Sequence, residues 1–219
     1  MMRRVELHMI RHAPSVHDKG MVPPRDPEAD LGNRAGFEAT ARHLPDDAVW
    51  WVSPMQRCRM TADMLLSSGA KAPGLHHDDR LIEQDYGRFH GQDISTVWAE
   101  VEAGPRSNWH FLHPDFTPPE GESFAAMHQR GAAVLRAIEK CGLDKLIIIG
   151  HAMMTRSIIA HAMGLPTDKA LALGISPLSV TTMTYLVEGH STGPGNGARW
   201  LLDTRYRGGT AGGASRAGL

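Results

Sequence analysis

Short apolar runs alternate with longer amphipathic stretches along the chain, and this order is typical of an α/β fold. The apolar runs have the length of buried strands, and they occupy residues 5–13, 48–52, 145–149, 180–187 and 199–202. The amphipathic stretches predict helices, and they occupy residues 33–44, 53–67, 93–101, 123–141 and about 151–163. Because strands and helices alternate, we expect helices that cover a mostly parallel sheet.

Cap signals sharpen two of the helix boundaries. Ser53 is predicted to cap the helix that follows it, with Pro54 in the first turn. Ser123 is predicted to cap the helix that runs to Cys141. A helix that begins at Ser53 would place Arg57 near its positive end, where backbone N–H groups favour an anion.

The length of 219 residues fits one domain, which we place at residues 1–206. Residues 207–219 are mainly Gly, Ala and Ser and offer little to bury, so a disordered tail is expected there. The Pro-rich residues 15–30 are predicted to form a loop over the end of the first strand.

Charge and cysteine content narrow the class of protein. The 23 Lys and Arg residues balance 24 Asp and Glu residues, so no overall basic field exists to bind nucleic acid or an anionic membrane. No window approaches the roughly 18 apolar residues of a membrane span. Cys58 and Cys141 cannot form a disulfide framework, and the first residues lack the apolar segment of a signal peptide. We therefore expect a soluble, cytoplasmic protein.

The 13 histidines raise the question of a metal site. The sequence contains neither the His-Glu-x-x-His nor the Cys-x-x-Cys spacing, and the His-His-Asp-Asp run at residues 76–79 would have to bend sharply to share one ion. Neither a metal nor a cofactor is therefore expected.

Three predicted strands end in residues that could bind a phosphate. The first strand ends in Arg11 and His12, Arg57 follows the second strand, and His151 follows the strand at residues 145–149. In open α/β sheets ligands bind outside the carboxyl ends of the strands, so these side chains are expected to meet. The Arg-His pair alone is more typical of a surface strand end, and the combination of three strand ends carries the prediction.

These residues belong to five motifs that resemble those of the histidine phosphatase superfamily, the phosphoglycerate mutase-like group of branch 1. The motifs follow the family's order between residue 5 and about residue 156, and they are Arg11-His12-Ala13, Ser53-Pro54-x-x-Arg57-x-x-x-Thr61-Ala62, Leu81-x-Glu83-x-x-x-Gly87, Gly121-Glu122-Ser123 and Gly150-His151. The resemblance implies a phosphoglycerate mutase-like α/β fold, a three-layer sandwich with helices on both faces of a mostly parallel central sheet.

The resemblance also implies roles for the candidate residues. His12 would be the nucleophile that forms a phosphohistidine, and the phosphoryl oxygens would lie among Arg11, Arg57 and His151. Glu83 matches the general acid of the family, and burial near aromatic side chains would raise its pKa as that role requires. Asp85 is the alternative two residues further on, and a loop carboxylate bonded to the backbone is the simpler interpretation for it.

The family commonly has glycine and then an acid directly after the histidine, and asparagine six positions past it. This sequence has Ala13, Pro14 and Asp18 at those three positions. Ala13 fits only with a negative φ, which Pro14 favours. A carboxylate at Asp18 would repel a phosphate, so either the loop turns it away or Ser15 or His17 makes that contact. Phe89-His90-Gly91 replaces the frequent Trp-Glu-Gly.

The expected activity is hydrolysis of a small phosphorylated metabolite through a phosphohistidine on His12. A phosphoglycerate mutase-type transfer, a phosphohistidine protein phosphatase and a catalytically weak phosphate-ester binding protein remain as alternatives. The partner would be a small-molecule phosphate ester and not a nucleic acid or a membrane. The sequence leaves the oligomeric state open.

Overall fold

The structure, a computed structural model, describes residues 3–102, 113–187 and 200–203. The strands are β1 (Arg3–Arg11), β2 (Val49–Val52), β3 (Leu75–His77), β4 (Lys145–Gly150), β5 (Val180–Val187) and β6 (Trp200–Asp203). The helices are α1 (Arg34–Ala41), α2 (Gln56–Ser67), α3 (Ile94–Glu102), α4 (Phe124–Lys140), α5 (Ala152–Met163) and α6 (Thr167–Ala170). None of these helices has the length and apolar character needed to cross a membrane.

The strands form one sheet in the order β3-β2-β4-β1-β5-β6. Neighbouring strands from β3 to β1 are parallel, whereas β5 is antiparallel to both β1 and β6. Five strands therefore share one direction, and the carboxyl ends of β2, β4 and β1 lie side by side. This edge is where the predicted strand-end residues come together.

Strand β4 shows that helices cover both faces of the sheet. Its residues alternate between two hydrophobic cores, with Leu146 and Ile148 in one and Ile147 and Ile149 in the other. The first core also contains residues of α4 and α5, and the second contains residues of α1 and α2. Such burial on both faces explains the continuous apolar run in β4. The predicted three-layer α/β sandwich is confirmed.

The short strand β3 was not predicted. Its residues pair with β2 at the edge of the sheet, and His76 and His77 are exposed. A strand that buries almost nothing carries no hydrophobic pattern, so backbone pairing alone defines it. The run at residues 76–79 is therefore partly an edge strand, and Asp78 caps the turn after it by accepting from the backbone N–H of Arg80.

One of the two predicted caps is confirmed and the other is wrong. The Ser123 side chain accepts a hydrogen bond from the backbone N–H of Ala126 at the start of α4. Helix α2 begins two residues later than a cap at Ser53 requires, with Met55 as the N-cap and no side-chain cap bond. Ser53 is instead fully buried beside His151. The predicted tail at residues 207–219 lies outside the described residues, and the single domain at residues 1–206 stays a prediction.

Candidate active site

The sheet brings the ends of three neighbouring strands into direct contact. The backbone N–H of His12 donates to the carbonyl of Gly150 at 3.0 Å, and that of Ser53 donates to the carbonyl of Ile149 at 2.9 Å. These bonds continue the parallel ladder for one residue beyond the strands. As a result the rings of His12 and His151 meet edge to face, with centroids 5.1 Å apart.

Two contacts fix the tautomer of His12. Its Nδ1 lies 2.6 Å from the carbonyl oxygen of Ala13, which can only accept a hydrogen bond, so Nδ1 carries the proton. The Nε–H of Arg57 donates to the His12 Nε2 at 3.2 Å, so Nε2 carries a lone pair. The arrangement prepares Nε2 as a nucleophile.

The surroundings of His12 keep its ring neutral. Burial, together with the charges of Arg57 and Arg11, lowers the pKa of His12 to about 3, against an opposing contribution from the Ala13 carbonyl. The side chain is 5% exposed, yet it lines a cavity. A neutral imidazole with access to a cavity is available for attack throughout the neutral pH range.

Arg11 and Arg57 flank His12 from different elements. An Nη1–H of Arg11 donates to the carbonyl of Ile175 at 2.6 Å, while its Nε is buried without a hydrogen-bond partner. Arg57 also donates to the carbonyl of Arg25 at 3.2 Å. Among the described residues, neither guanidinium has a carboxylate within 3.5 Å, and Asp26 lies 3.7 Å from Arg57. Their charges are thus left for a bound anion.

His151 is buried behind His12 and does not line the cavity. Its Nε2 lies 2.9 Å from the Ser53 hydroxyl oxygen and 3.4 Å from the Cys58 sulfur. Burial and the charges of Arg57, His12 and Arg11 lower the pKa of His151 well below its ordinary value. Ser53 is a site residue that the sequence interpretation assigned to a helix cap, although its place in the second motif already pointed to the site.

Glu83 reaches the same cavity from the loop after β3 and contacts the start of α5. Its carboxylate accepts hydrogen bonds from the backbone N–H groups of Met153 at 3.2 Å and Gln84 at 3.1 Å. Burial raises the pKa of Glu83, although these bonds and the charges of Arg57 and Arg11 oppose the rise. The net direction is the one that a proton donor near neutral pH requires.

Asp85 serves its own loop, as the simpler interpretation predicted. Its Oδ1 accepts from the backbone N–H of Gly87 at 2.9 Å and lies 3.1 Å from the His90 Nε2. Its Oδ2 pairs with Arg25 at 3.0 Å. Asp85 and His90 line the cavity, and together they fasten the residues around Arg25 to the loop that carries Glu83.

The loop after His12 accommodates the departures from the family pattern. Outside glycine, the described residues with positive φ are Glu120 and Leu178, so Ala13 has the negative φ that it needs. Ser15 lines the cavity, whereas His17 and Asp18 are exposed and do not line it. The loop therefore turns the Asp18 carboxylate away from the arginines, and Ser15 remains as the candidate contact.

The cavity has a volume of about 1030 Å³, and its inner part is lined by Arg11, His12, Ser15, Arg57, Glu83 and Tyr86. Arg156 on α5 also lines it and donates from Nε to the carbonyl of Leu173 at 2.7 Å. Within the described ranges, no group of three or more His, Cys, Asp or Glu side chains could hold a metal ion. Arg11 and Arg57 place positive charge beside His12 in the inner cavity, and this arrangement suits a phosphate.

Comparison with known protein families agrees with this geometry. The family model described as the histidine phosphatase superfamily, branch 1, matches residues 7–192 of the chain. The match extends over most of the sequence and includes every predicted site residue. None of the curated proteins matches the chain.

Solved structures share the fold. A mycobacterial glucosyl-3-phosphoglycerate phosphatase is 21% identical with a TM-score of 0.72, and the match covers 92% of this chain and 98% of that one. A candidate α-ribazole-5′-phosphate phosphatase from Escherichia coli K-12 is 17% identical with a TM-score of 0.73, covering 91% and 94%. The Bacillus stearothermophilus protein YhfR is 18% identical with a TM-score of 0.71, covering 90% and 95%. At these identities the likeness concerns the fold alone.

Proposed function

Because the chain belongs to branch 1 of the histidine phosphatase superfamily, we propose that it hydrolyses a small phosphate monoester through a phosphohistidine on His12. The observation that carries the proposal is the state of His12, whose Nδ1 proton is held by the Ala13 carbonyl while Nε2 keeps its lone pair beside Arg57. A ring fixed in this way needs no additional base to attack phosphorus.

In the first step the phosphoryl group replaces His12 as the acceptor of the Arg57 N–H bond. The His12 Nε2 then attacks phosphorus, an N–P bond forms, and the P–O bond to the leaving alcohol breaks. Glu83 supplies the proton that the leaving oxygen takes up, which is why its raised pKa matters. The alcohol leaves and Glu83 is ionised.

Arg11 and Arg57 would stabilise the phosphoryl oxygens during this transfer. Planar guanidinium groups offer parallel donors to two oxygens, and preorganised charges usually supply the largest catalytic contribution. Both arginines line the cavity beside His12, so their guanidinium groups can reach a phosphoryl group bound there. Ser15 is assigned as a further donor at the cavity wall.

His151 would position His12 for the attack, because its buried ring contacts the His12 ring edge to face. The Ser53 oxygen accepts the Met55 N–H at 3.4 Å, so its own proton can be directed to the His151 Nε2. This choice leaves the imidazole proton on Nδ1 and fixes the orientation of the ring that packs against His12. Ser53 thus acts as a positioning residue through His151.

In the second step ionised Glu83 accepts a proton from water as the water oxygen attacks phosphorus. The N–P bond breaks, inorganic phosphate forms, and His12 returns to its neutral state with Glu83 protonated again. Hydrolysis is proposed rather than mutase-type transfer because Glu83 and His12 line the same cavity, where the ionised Glu83 can activate water.

Hydrolysis of p-nitrophenyl phosphate tests the proposal. Replacement His12→Asn should lower kcat by about 10⁴-fold or more, because the nucleophile is lost while the arginines remain. Thermal unfolding of the variant checks that it is folded. A folded His12→Asn variant as active as the wild type would remove His12 as the nucleophile and would overturn the proposal.

A further inference from the structure

The cavity continues well beyond the groups that would hold a phosphate. Its volume of about 1030 Å³ is that of pockets that enclose a drug-sized ligand, and a phosphoryl group fills only the part next to His12. On the proposed reaction the rest of the space lies on the side of the leaving alcohol. The chemistry of the outer lining therefore selects the alcohol.

One side of the outer cavity is apolar, and we call it the apolar wall. It consists of side chains from the loop before residue 25 and from the first turns of α3, namely Val22, Pro23, Pro24, Ile94, Val97 and Trp98. Backbone hydrogen bonds join residues 20–22 to residues 91–94, the shortest at 2.7 Å from the Ile94 N–H to the Gly20 carbonyl. The two segments thus form one supported surface.

The charged groups near this wall are already paired within the protein. Arg25 binds Asp85 at 3.0 Å, and the His90 Nδ1 donates to the Pro23 carbonyl at 3.0 Å. On another side of the cavity, Arg130 binds Glu122 at 2.9 Å. A polar ligand would have to compete with these bonds, whereas the Ile94 side chain is 39% exposed and offers apolar contact directly.

Arg156, in contrast to the apolar wall, would favour an alcohol that carries an acidic group. It lines the cavity, it has no carboxylate partner in the described residues, and its Nη1 faces the Met153 sulfur at 3.0 Å. An acidic group on the alcohol could bind there. Val22 and Val97 are buried in a cluster of their own, so the accessible part of the apolar wall is Pro23, Pro24, Ile94 and Trp98. These four residues together offer more contact than the single cation, so the observations favour an apolar alcohol.

We propose that the substrate is the phosphate monoester of an apolar alcohol, whose hydrocarbon part packs against the apolar wall while its phosphate binds at His12. This inference rests on the proposed function, because it assumes that the phosphate end of the ligand lies at His12. Each fully buried methylene group contributes about fourfold in apparent affinity, so the preference grows with chain length.

Four primary alkyl phosphates test the inference, because their leaving groups are chemically alike at the reacting oxygen. They are ethyl phosphate, hexyl phosphate, 6-hydroxyhexyl phosphate and 5-carboxypentyl phosphate. With partial burial of four added methylenes, kcat/KM for hexyl phosphate should exceed that for ethyl phosphate by about tenfold or more. The hydroxyl and carboxylate compounds should be poorer substrates than hexyl phosphate.

Replacement Ile94→Ser locates the effect at the wall. It should reduce the hexyl-to-ethyl ratio of kcat/KM by about threefold or more, because the longer chain of hexyl phosphate loses more apolar contact than that of ethyl phosphate. Met163 is a matched control, since it is similarly exposed at the end of α5 and does not line the cavity, and Met163→Ser should leave the ratio unchanged.

Equal kcat/KM values for ethyl and hexyl phosphate would overturn the inference. A preference for 5-carboxypentyl phosphate would also overturn it, and would assign Arg156 as the residue that binds an acidic group on the alcohol. An unchanged ratio in Ile94→Ser would also overturn it. Hydrolysis of ethyl phosphate that depends on His12 would leave the proposed function standing in each case, so the two failures are distinguishable.

Discussion

In the part of the chain that the structure describes, two pairs of histidine rings contact each other, and one of these pairs adjoins the cavity. His12 and His151 meet edge to face at the ends of β1 and β4. His128 on α4 and His161 on α5 stack face to face, with centroids 3.6 Å apart. Burial lowers the pKa of His128 to about 4 and that of His12 to about 3, so both rings are neutral at pH 7.

The difference between the pairs lies in what surrounds them. His128 contacts the Ser157 hydroxyl at 3.0 Å, and the His161 Nε2 donates to the His128 carbonyl at 2.7 Å. Neither ring lines the cavity, whereas His12 lies between two arginines and does. A depressed histidine pKa therefore does not identify a nucleophile by itself. Access to a cavity and nearby charge for an anion make the distinction.

After the loss of His12 itself, the largest expected effect concerns Glu83, which lines the cavity beside His12 and has no counterpart at the His128–His161 pair. Replacement Glu83→Gln should lower kcat/KM for alkyl phosphates by about 10²-fold or more, because the leaving oxygen loses its proton donor. In the wild type, activity should fall as pH rises through the raised pKa of Glu83, and this alkaline limb should disappear in the variant. An unchanged pH profile would exclude Glu83 as the acid.

The next prediction compares two serines. Ser53 contacts His151 beside the cavity, and Ser157 contacts His128 in the other pair. Ser53→Ala should lower kcat by about tenfold, because His151 loses the hydrogen bond that selects its tautomer. Ser157→Ala should lower the free energy of unfolding by about 1 kcal/mol and leave kcat nearly unchanged. Steady-state kinetics and urea unfolding of both variants measure the contrast, and equal effects on kcat would erase it.

The smallest expected effect is on acid stability. The folded pKa of His128 lies below its ordinary 6.5, so the unfolded chain binds more protons and stability is lost as pH falls from 6.5 towards about 4. Replacement His128→Asn should remove up to about 1.4 kcal/mol per pH unit from the slope of unfolding free energy against pH in that window. A slope that matches the wild type would show that His128 titrates normally.

Much of the fold followed from hydrophobic periodicity. Strand β4 and helix α5 were predictable because a run of apolar residues ends in Gly150-His151 and because Gly164, with φ +64°, ends the helix. Strand β3 was not predictable, since an exposed edge strand depends on a backbone partner that lies elsewhere in the sequence. The family motifs supplied the candidate residues, and the parallel order of β2, β4 and β1 brought them together.

The detailed site required the structure. The sequence pattern predicted Ser53 at the start of a helix. In the structure its backbone N–H pairs with the Ile149 carbonyl on β4, and this pairing brings its hydroxyl to His151. The repulsion expected from Asp18 depended on a loop path that no local pattern specifies. Likewise the tautomer of His12 is set by a carbonyl and a guanidinium from separate elements.

Trapping the covalent intermediate tests the central claim most directly. With p-nitrophenyl phosphate the leaving group needs little acid help, so Glu83→Gln should form the intermediate and hydrolyse it slowly. Quenching this reaction and analysing peptides by mass spectrometry should locate an acid-labile phosphoryl group on His12 and none on His128. Turnover without such an adduct on His12, or with the adduct on another residue, would contradict the account.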